Sequence, residues 1–250
     1  MPSKLTSALI SVLVLLLLWA VVSEFVQERS LPPPVAVWQA FVTELNSGDL
    51  WFHLQATLLR VAAAFVVAMS IGAAIGITLG MASRINSFAE PWLILLLNVP
   101  ALVVIVLSYI WFGLNELAAI GAVAVNKIPN VVITFREGAR ALDPAFAEMA
   151  KVYRFSRFKQ LRHVVLPQLQ PFFAAATRSG ISLIWKIVLV VELLGRSNGV
   201  GFQIYLHFQL FDVATILAYT FAFVIVMLLV EYGLLQPLER SATRWRPNRG

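Results

Sequence analysis

DPAFAEMAKVYRFSRFKQLRHVVLP, residues 143–167, is a charged island in a chain otherwise close to lipid in composition. Asp143 is a good N-cap and Pro144 suits a first helical turn, so the stretch opens a short helix. Phe146, Met149, Ala150 and Tyr153 then recur at helical spacing and give that helix one apolar face. Arg154, Arg157, Lys159 and Arg162 follow, and Leu166-Pro167 marks the start of the next hydrophobic run. An amphipathic helix with a basic patch, set between membrane spans, is built to meet something at the membrane surface, either lipid headgroups or a soluble partner.

The surroundings of the island fix the class. Of 250 residues 60% are hydrophobic and 13% charged, the balance of a multispanning membrane protein. There is no cysteine, which excludes disulfides, thiolate metal sites and cysteine nucleophiles. His53, His163 and His207 are scattered, with no pair at ligand spacing, so no metal site is expected. The net charge of +6 falls mainly between apolar runs, a mark of membrane topology and not of a nucleic-acid partner.

Working outward, six spans are expected at about 5–22, 55–81, 91–112, 117–135, 172–194 and 213–235, each near the roughly 20 apolar residues that cross a bilayer. The first exceeds the core of about 7–15 residues typical of a cleaved signal and reads as a retained span. Pro32 to Pro34 form an extended spacer, and Val35, Trp38, Val42 and Leu45 share one face of a short interfacial helix ended by Ser47-Gly48-Asp49. Gly72, Gly76 and Gly80 repeat every four residues along the second span and leave a groove for close helix packing. Pro100 should kink the third span, and Lys127, Pro129 and Asn130 should leave the fourth bent and partly solvated.

Orientation follows from the basic residues. With a cytoplasmic N-terminus, Lys4, Arg84, the eight from Lys127 to Arg162 and four in the tail lie inside, against only Arg29 and Arg196 in outer segments. That bias puts both termini and the loop 137–167 in the cytoplasm.

Glu148-Met149-Ala150, with Leu166-Pro167 sixteen residues beyond Ala150, resembles the EAA loop of bacterial ABC-importer permeases. The likeness spans nearly the whole chain and is similar to the nitrate, sulfonate and taurine branch. It is carried by Leu31-Pro32-Pro33-Pro34, Ser47-Gly48-Asp49-Leu50, His53, Thr57-Leu58 and Arg60 near the start. Trp111-Phe112-Gly113, Trp185-Lys186, Glu192-Leu193-Leu194-Gly195, Gly199-Val200-Gly201 and Leu238-Glu239-Arg240 to Arg244-Trp245-Arg246 carry it further on. The resemblance implies an all-α, six-span, type I importer permease in the bacterial inner membrane. Its implied partners are a cytoplasmic ATPase that receives the loop as a coupling helix, a second permease chain, identical by expectation, and an external solute-binding protein. Two departures stand out: the third span keeps only Pro100 in its middle where the branch is richer in proline, and in the loop Met149 replaces the middle alanine while Arg154 occupies the position where the family usually has a glycine. An arginine disfavours the positive φ that a glycine would adopt there, so a different turn is expected.

Read physically, Phe146, Met149 and Tyr153 would seat the coupling helix, with Glu148, Lys151, Arg154 and the following basic residues as its charged rim. The acids Asp143 and Glu148 among the bases favour a protein groove over lipid. On the fifth span Arg178, Ser182, Trp185, Leu189 and Glu192 share one face, with Lys186 on its flank, and point to a translocation path or a dimer interface, because charges facing lipid are costly; an Arg178 snorkelling near the cytoplasm and a Glu192 exposed at the outer mouth are the alternative. Arg60 fits either that path or a side chain snorkelling to the outer interface. The positive excess in the spans suits an anionic solute such as nitrate, a sulfonate or taurine; an uncharged or cationic vitamin precursor is the alternative cargo. No GxxxxGK[ST] loop is present, so no cofactor is expected and ATP belongs to the partner ATPase. A secondary transporter would favour internal repeats and deep acids, and an intramembrane enzyme would need a histidine pair, metal site or serine elbow.

Overall fold

The computed structural model describes residues 4–26 and 30–237. Glu28, Arg29 and the terminal motif from Leu238 lie outside the described residues. The described residues are helical: α1 Lys4–Phe25, α2 Pro34–Ser47, α3 Asp49–Met81, α4 Ser83–Asn98, α5 Ala101–Phe112, α6 Glu116–Arg140 and α7 Pro144–Val152 come first. After them run α8 Arg157–Gln160, a π-turn Leu161–Val165, α9 Leu166–Gly195, α10 Val200–Gln209 and α11 Val213–Val230 with a second π-turn Glu231–Leu235. Four helices are long and apolar enough to span a bilayer, namely α3, α6, the continuous Arg157–Gly195 and Val213–Leu235. The α4–α5 pair makes a fifth if counted as one broken span, and the apolar part of α1, Ile10–Phe25, is shorter than these, so the described residues give four or five spans against the six expected.

The third span differs most from expectation. It starts at Ser83, not Pro91, and breaks by 93° between α4 and α5 instead of merely kinking. Val99 precedes a proline, which disfavours the helical region, and Pro100 brings no N–H to continue the ladder. The 12 residues of α5 rise only about 18 Å, too short to cross roughly 30 Å of hydrocarbon alone. Conversely, the fifth span begins far earlier than 172. Pro167 and Pro171 lie inside one 39-residue helix; just before Pro167 a π-turn widens the winding, with the Leu166 N–H reaching back to the Leu161 carbonyl. The segment 195–212 contains α10, a helix not among the six expected spans.

Two compact units emerge, each described by itself. One comprises the chain up to Thr57 with Glu192–Val226, the other Leu58–Val191 with the residues from Met227. In the second, α6 runs against the glycine stripe of α3: a Cβ on Gly72 would sit 2.6 Å from Val131 Cβ, one on Gly76 2.5 Å from the Val132 carbonyl, and one on Gly80 2.5 Å from Ala139 Cβ. Glycine is what lets these two backbones approach. The core beside it gathers Val61, Ala64, Ile105, Ala122, Ile184 and Val188, and the Tyr109 hydroxyl donates to the Val191 carbonyl at 2.9 Å. In the first unit, α2 ends at Gly48 with φ +86°, where only glycine is unstrained. Val35, Trp38 and Leu45 stay exposed along α2. There the Trp19 indole donates to the Pro32 carbonyl at 3.1 Å and the Tyr219 hydroxyl donates to Glu44 at 2.6 Å.

Candidate functional site

The island forms a braced surface helix. Asp143 caps α7 by accepting the Ala145 N–H at 2.9 Å, with Pro144 in the first turn. At the other end the Phe155 N–H donates to the Ala150 carbonyl at 2.9 Å and the Arg154 N–H to the Lys151 carbonyl at 3.0 Å. This is a Schellman turn, and its left-handed position is Arg154, with φ +49°. The expected change of turn therefore does not occur: Arg154 takes the glycine conformation, at a cost of about 1–2 kcal/mol. Ser156 then caps the next helix by accepting the Lys159 N–H at 3.3 Å.

Phe146, Glu148, Met149, Lys151, Tyr153 and Arg154 are all exposed, whereas Ala150 is buried in its own chain. A groove of about 490 Å³ lies beside the helix, lined by Phe146, Met149, His163, Pro167, Gln168 and Phe172 among others. Sequence reading missed Val152 and Phe158, 79% and 70% exposed, which add to the apolar surface of the loop. It also missed Gln168. The Gln168 amide oxygen accepts the Asp143 N–H at 2.9 Å while its amide nitrogen donates to the Val164 carbonyl at 3.0 Å. One side chain thus ties the N-cap of α7 to the first turns of the long helix Arg157–Gly195. A glutamine just after a proline carries no sequence signal for such a role.

The polar face of α9 is divided. Arg178, Ser182 and Lys186 are exposed, Trp185 and Leu189 are half-buried, and Glu192 is wholly buried. Arg178 Nε lies 3.4 Å from Glu231 Oε1, and the Lys186 ammonium lies 5.5 Å from the Trp185 ring centroid. Glu192 belongs to a closed cluster, accepting the Thr57 hydroxyl and the Gly201 N–H, each at 2.9 Å, while Thr57 accepts the Val200 N–H at 2.8 Å. The carboxylate thereby meets the N-terminus of α10, where the helix dipole favours negative charge. His53 Nδ1 accepts the Gly199 N–H at 3.0 Å. The Gln203 amide nitrogen lies 2.6 Å from His53 Nε2. Gly199 has φ +112°, and a Cβ there would overlap the Glu192 carboxylate.

Arg60 is 5% exposed and paired through two bonds with Glu116, Nε to Oε2 at 2.9 Å and Nη2 to Oε1 at 2.7 Å. The sequence reading gave it no such partner. Lys127, expected in a solvated half-span and counted among the inward bases, is instead buried, its ammonium 3.4 Å from the Ser179 carbonyl. Among the described residues no group of three histidine, aspartate or glutamate side chains could hold a metal ion.

Residues 68–232 match the family of binding-protein-dependent transport system inner membrane components. A protein named as the aliphatic sulfonates transport permease SsuC of Bacillus subtilis (strain 168) is 31% identical over 235 residues, covering 93% of this chain and 85% of that one. The taurine transport system permease TauC of Escherichia coli (strain K12) is 26% identical over 249 residues, 97% of this chain and 90% of its own. A crystal structure of an amino acid ABC transporter with histidines superposes with a TM-score of 0.62 at 22% identity, over 80% of this chain and 98% of that one, a likeness of fold.

Proposed function

We propose, from the premise that this chain belongs to the family of binding-protein-dependent transport system inner membrane components, that α7 is the site through which it receives work from a separate ATPase. The chain is a multi-pass permease subunit of an ABC importer, and such a subunit works with an ATPase and a solute-binding protein. Two copies would enclose the path, both termini would face the cytoplasm, and ATP would be hydrolysed only on the partner. The cargo we assign is a small anion of the sulfonate class, in keeping with the relatives named above and with the cationic side chains exposed on α9.

The observation that carries this reading is the bracing of α7. A helix that transmits force must not unwind or swivel when pushed. The Asp143 cap, the Schellman turn at Arg154 and the Gln168 bridge hold it at both ends and join it to the 39-residue helix that continues into the membrane. Displacement of α7 would move that helix as a lever, a rigid-body change of the kind that drives alternating access. Phe146, Met149, Val152 and Tyr153 would fill a groove on the ATPase, with Glu148 and Lys151 at its edge.

Co-purification tests this. The permease is expressed with the ATPase encoded beside it, as wild type, Glu148→Ala and Met149→Asp. Recovery of the ATPase should fall in both variants while the permease keeps its thermal transition. Equal recovery with all three would remove α7 from the interface.

A further inference from the structure

We infer that Lys186 and Arg178 are successive anion-binding groups on the permeation surface, with Glu231 as the internal carboxylate that occupies Arg178 when no cargo does. The inference rests on the importer reading and on its topology, with Gly195 at the outer end of α9.

Height along the helix comes first. Lys186 precedes Gly195 by nine residues, about 14 Å of helix, which sets it near the middle of roughly 30 Å of hydrocarbon. Arg178 lies eight residues further in, about 12 Å beyond. Both side chains are exposed, and Ser182 between them is exposed as well. An exposed ammonium at mid-membrane is too costly to face lipid, so this surface faces water or another protein surface. No carboxylate among the described residues forms an ion pair with Lys186, and its one charge contact is the Trp185 ring. It is a cation held ready for an anion that the described chain does not supply.

Arg178 has such an anion. Glu231 reaches it at 3.4 Å, and the two are 53% and 28% exposed, so the pair is open to exchange. Glu231 opens the π-turn Glu231–Leu235, a widened winding of the kind found at functional sites. A sulfonate presents three oxygens that a guanidinium can grip as it grips a carboxylate. Cargo arriving from Lys186 would displace Glu231 from Arg178, and Glu231 would return once the cargo had left. A neutral or cationic solute could do neither.

The cysteine-free chain makes the test direct. Ser182→Cys is placed in the full complex of permease, ATPase and binding protein in vesicles, and its modification is timed with sulfonatoethyl and trimethylammonioethyl methanethiosulfonate. The first reagent carries the sulfonate of the cargo class. It should react at least about tenfold faster than the cation, since local potential concentrates ions of one sign by that order or more. Lys186→Gln and Arg178→Gln should each cut the preference, Lys186→Arg should keep it, and Glu231→Gln should raise it. Equal rates, a faster cation, or no reaction with either reagent would overturn the inference. ATP-driven uptake of radiolabelled ethanesulfonate and taurine is followed in the same vesicles. If uptake persists without the preference, the anion groups are wrong and the importer stands. If the wild type shows no ATP-driven uptake of any solute, the importer reading falls and takes the inference with it.

Discussion

Replacing Gln168 with methionine keeps the length of the side chain and removes both of its bonds, to the Asp143 N–H at 2.9 Å and to the Val164 carbonyl at 3.0 Å. An intramolecular hydrogen bond contributes about 1 kcal/mol net. The Asp143 bond is exposed, so water replaces part of it. The loss that matters for coupling is that bond, the one joining α7 to the long helix. At about 1 kcal/mol it shifts the balance between tied and released α7 roughly fivefold. The ATPase would still dock, because Phe146, Met149 and Tyr153 are untouched, but its motion would be passed on less often. The assay is the ratio of ATP hydrolysed to solute taken up in proteoliposomes at saturating binding protein. The expected result is near-normal co-purification with the ATPase and a ratio raised by about two- to fivefold. An unchanged ratio, or loss of ATPase binding with the ratio intact, would refute the view that Gln168 carries force between the two helices.

Other outcomes follow from single residues. Gly199→Ala forces a side chain into a positive-φ position and onto the Glu192 carboxylate; strain of about 1–3 kcal/mol should lower the thermal transition of the purified complex and the yield of membrane-inserted protein. Arg154→Gly should stabilise the loop by about 0.5–1 kcal/mol, relief of left-handed strain less the added entropy of glycine, read as slower proteolytic nicking between α7 and α8. At Asp212, burial alone would raise the carboxyl, but the hydroxyl and N–H of Thr215, with His207 beside it, hold it below the ordinary carboxylate range. A lowered folded value means its stabilisation is complete above the ordinary carboxylate value of about 4 and is lost as pH falls from there through the lowered folded value. The thermal gap between wild type and Asp212→Asn should therefore be constant near neutrality and close in acid.

What could be read from the chain beforehand was whatever acts over one or two turns. Asp143 and Pro144 announce the start of α7, Ser47-Gly48-Asp49 ends α2, and Gly72, Gly76 and Gly80 mark the face that α6 meets, because caps and small-residue stripes are local chemistry. Partnerships between distant residues left no such trace. Arg60 and Glu116 are 56 residues apart, and Thr57 and Glu192 are separated by 135, so neither the pairing of Arg60 with the half-exposed Glu116 nor the bonds that Glu192 makes to Thr57 and Gly201 could be read from local spacing. The 93° break at Pro100 was underestimated because a proline and its predecessor specify an interruption without its angle. Arg154 shows the reverse case. Its intrinsic preference is overruled by the two backbone bonds of the turn it sits in.

The most direct test of the central claim is site-specific cross-linking from α7. Single cysteines at Tyr153 and Ala150 are introduced into the cysteine-free chain, each coexpressed with the neighbouring ATPase and treated in membranes with a short thiol-to-amine reagent. Tyr153 is 70% exposed and Ala150 only 2%. An ATPase adduct from Tyr153→Cys, absent from Ala150→Cys and altered in yield on adding ATP, is the result predicted for a coupling helix seated in the ATPase. No adduct from Tyr153→Cys, in membranes that still import solute on ATP, would mean that the work enters elsewhere.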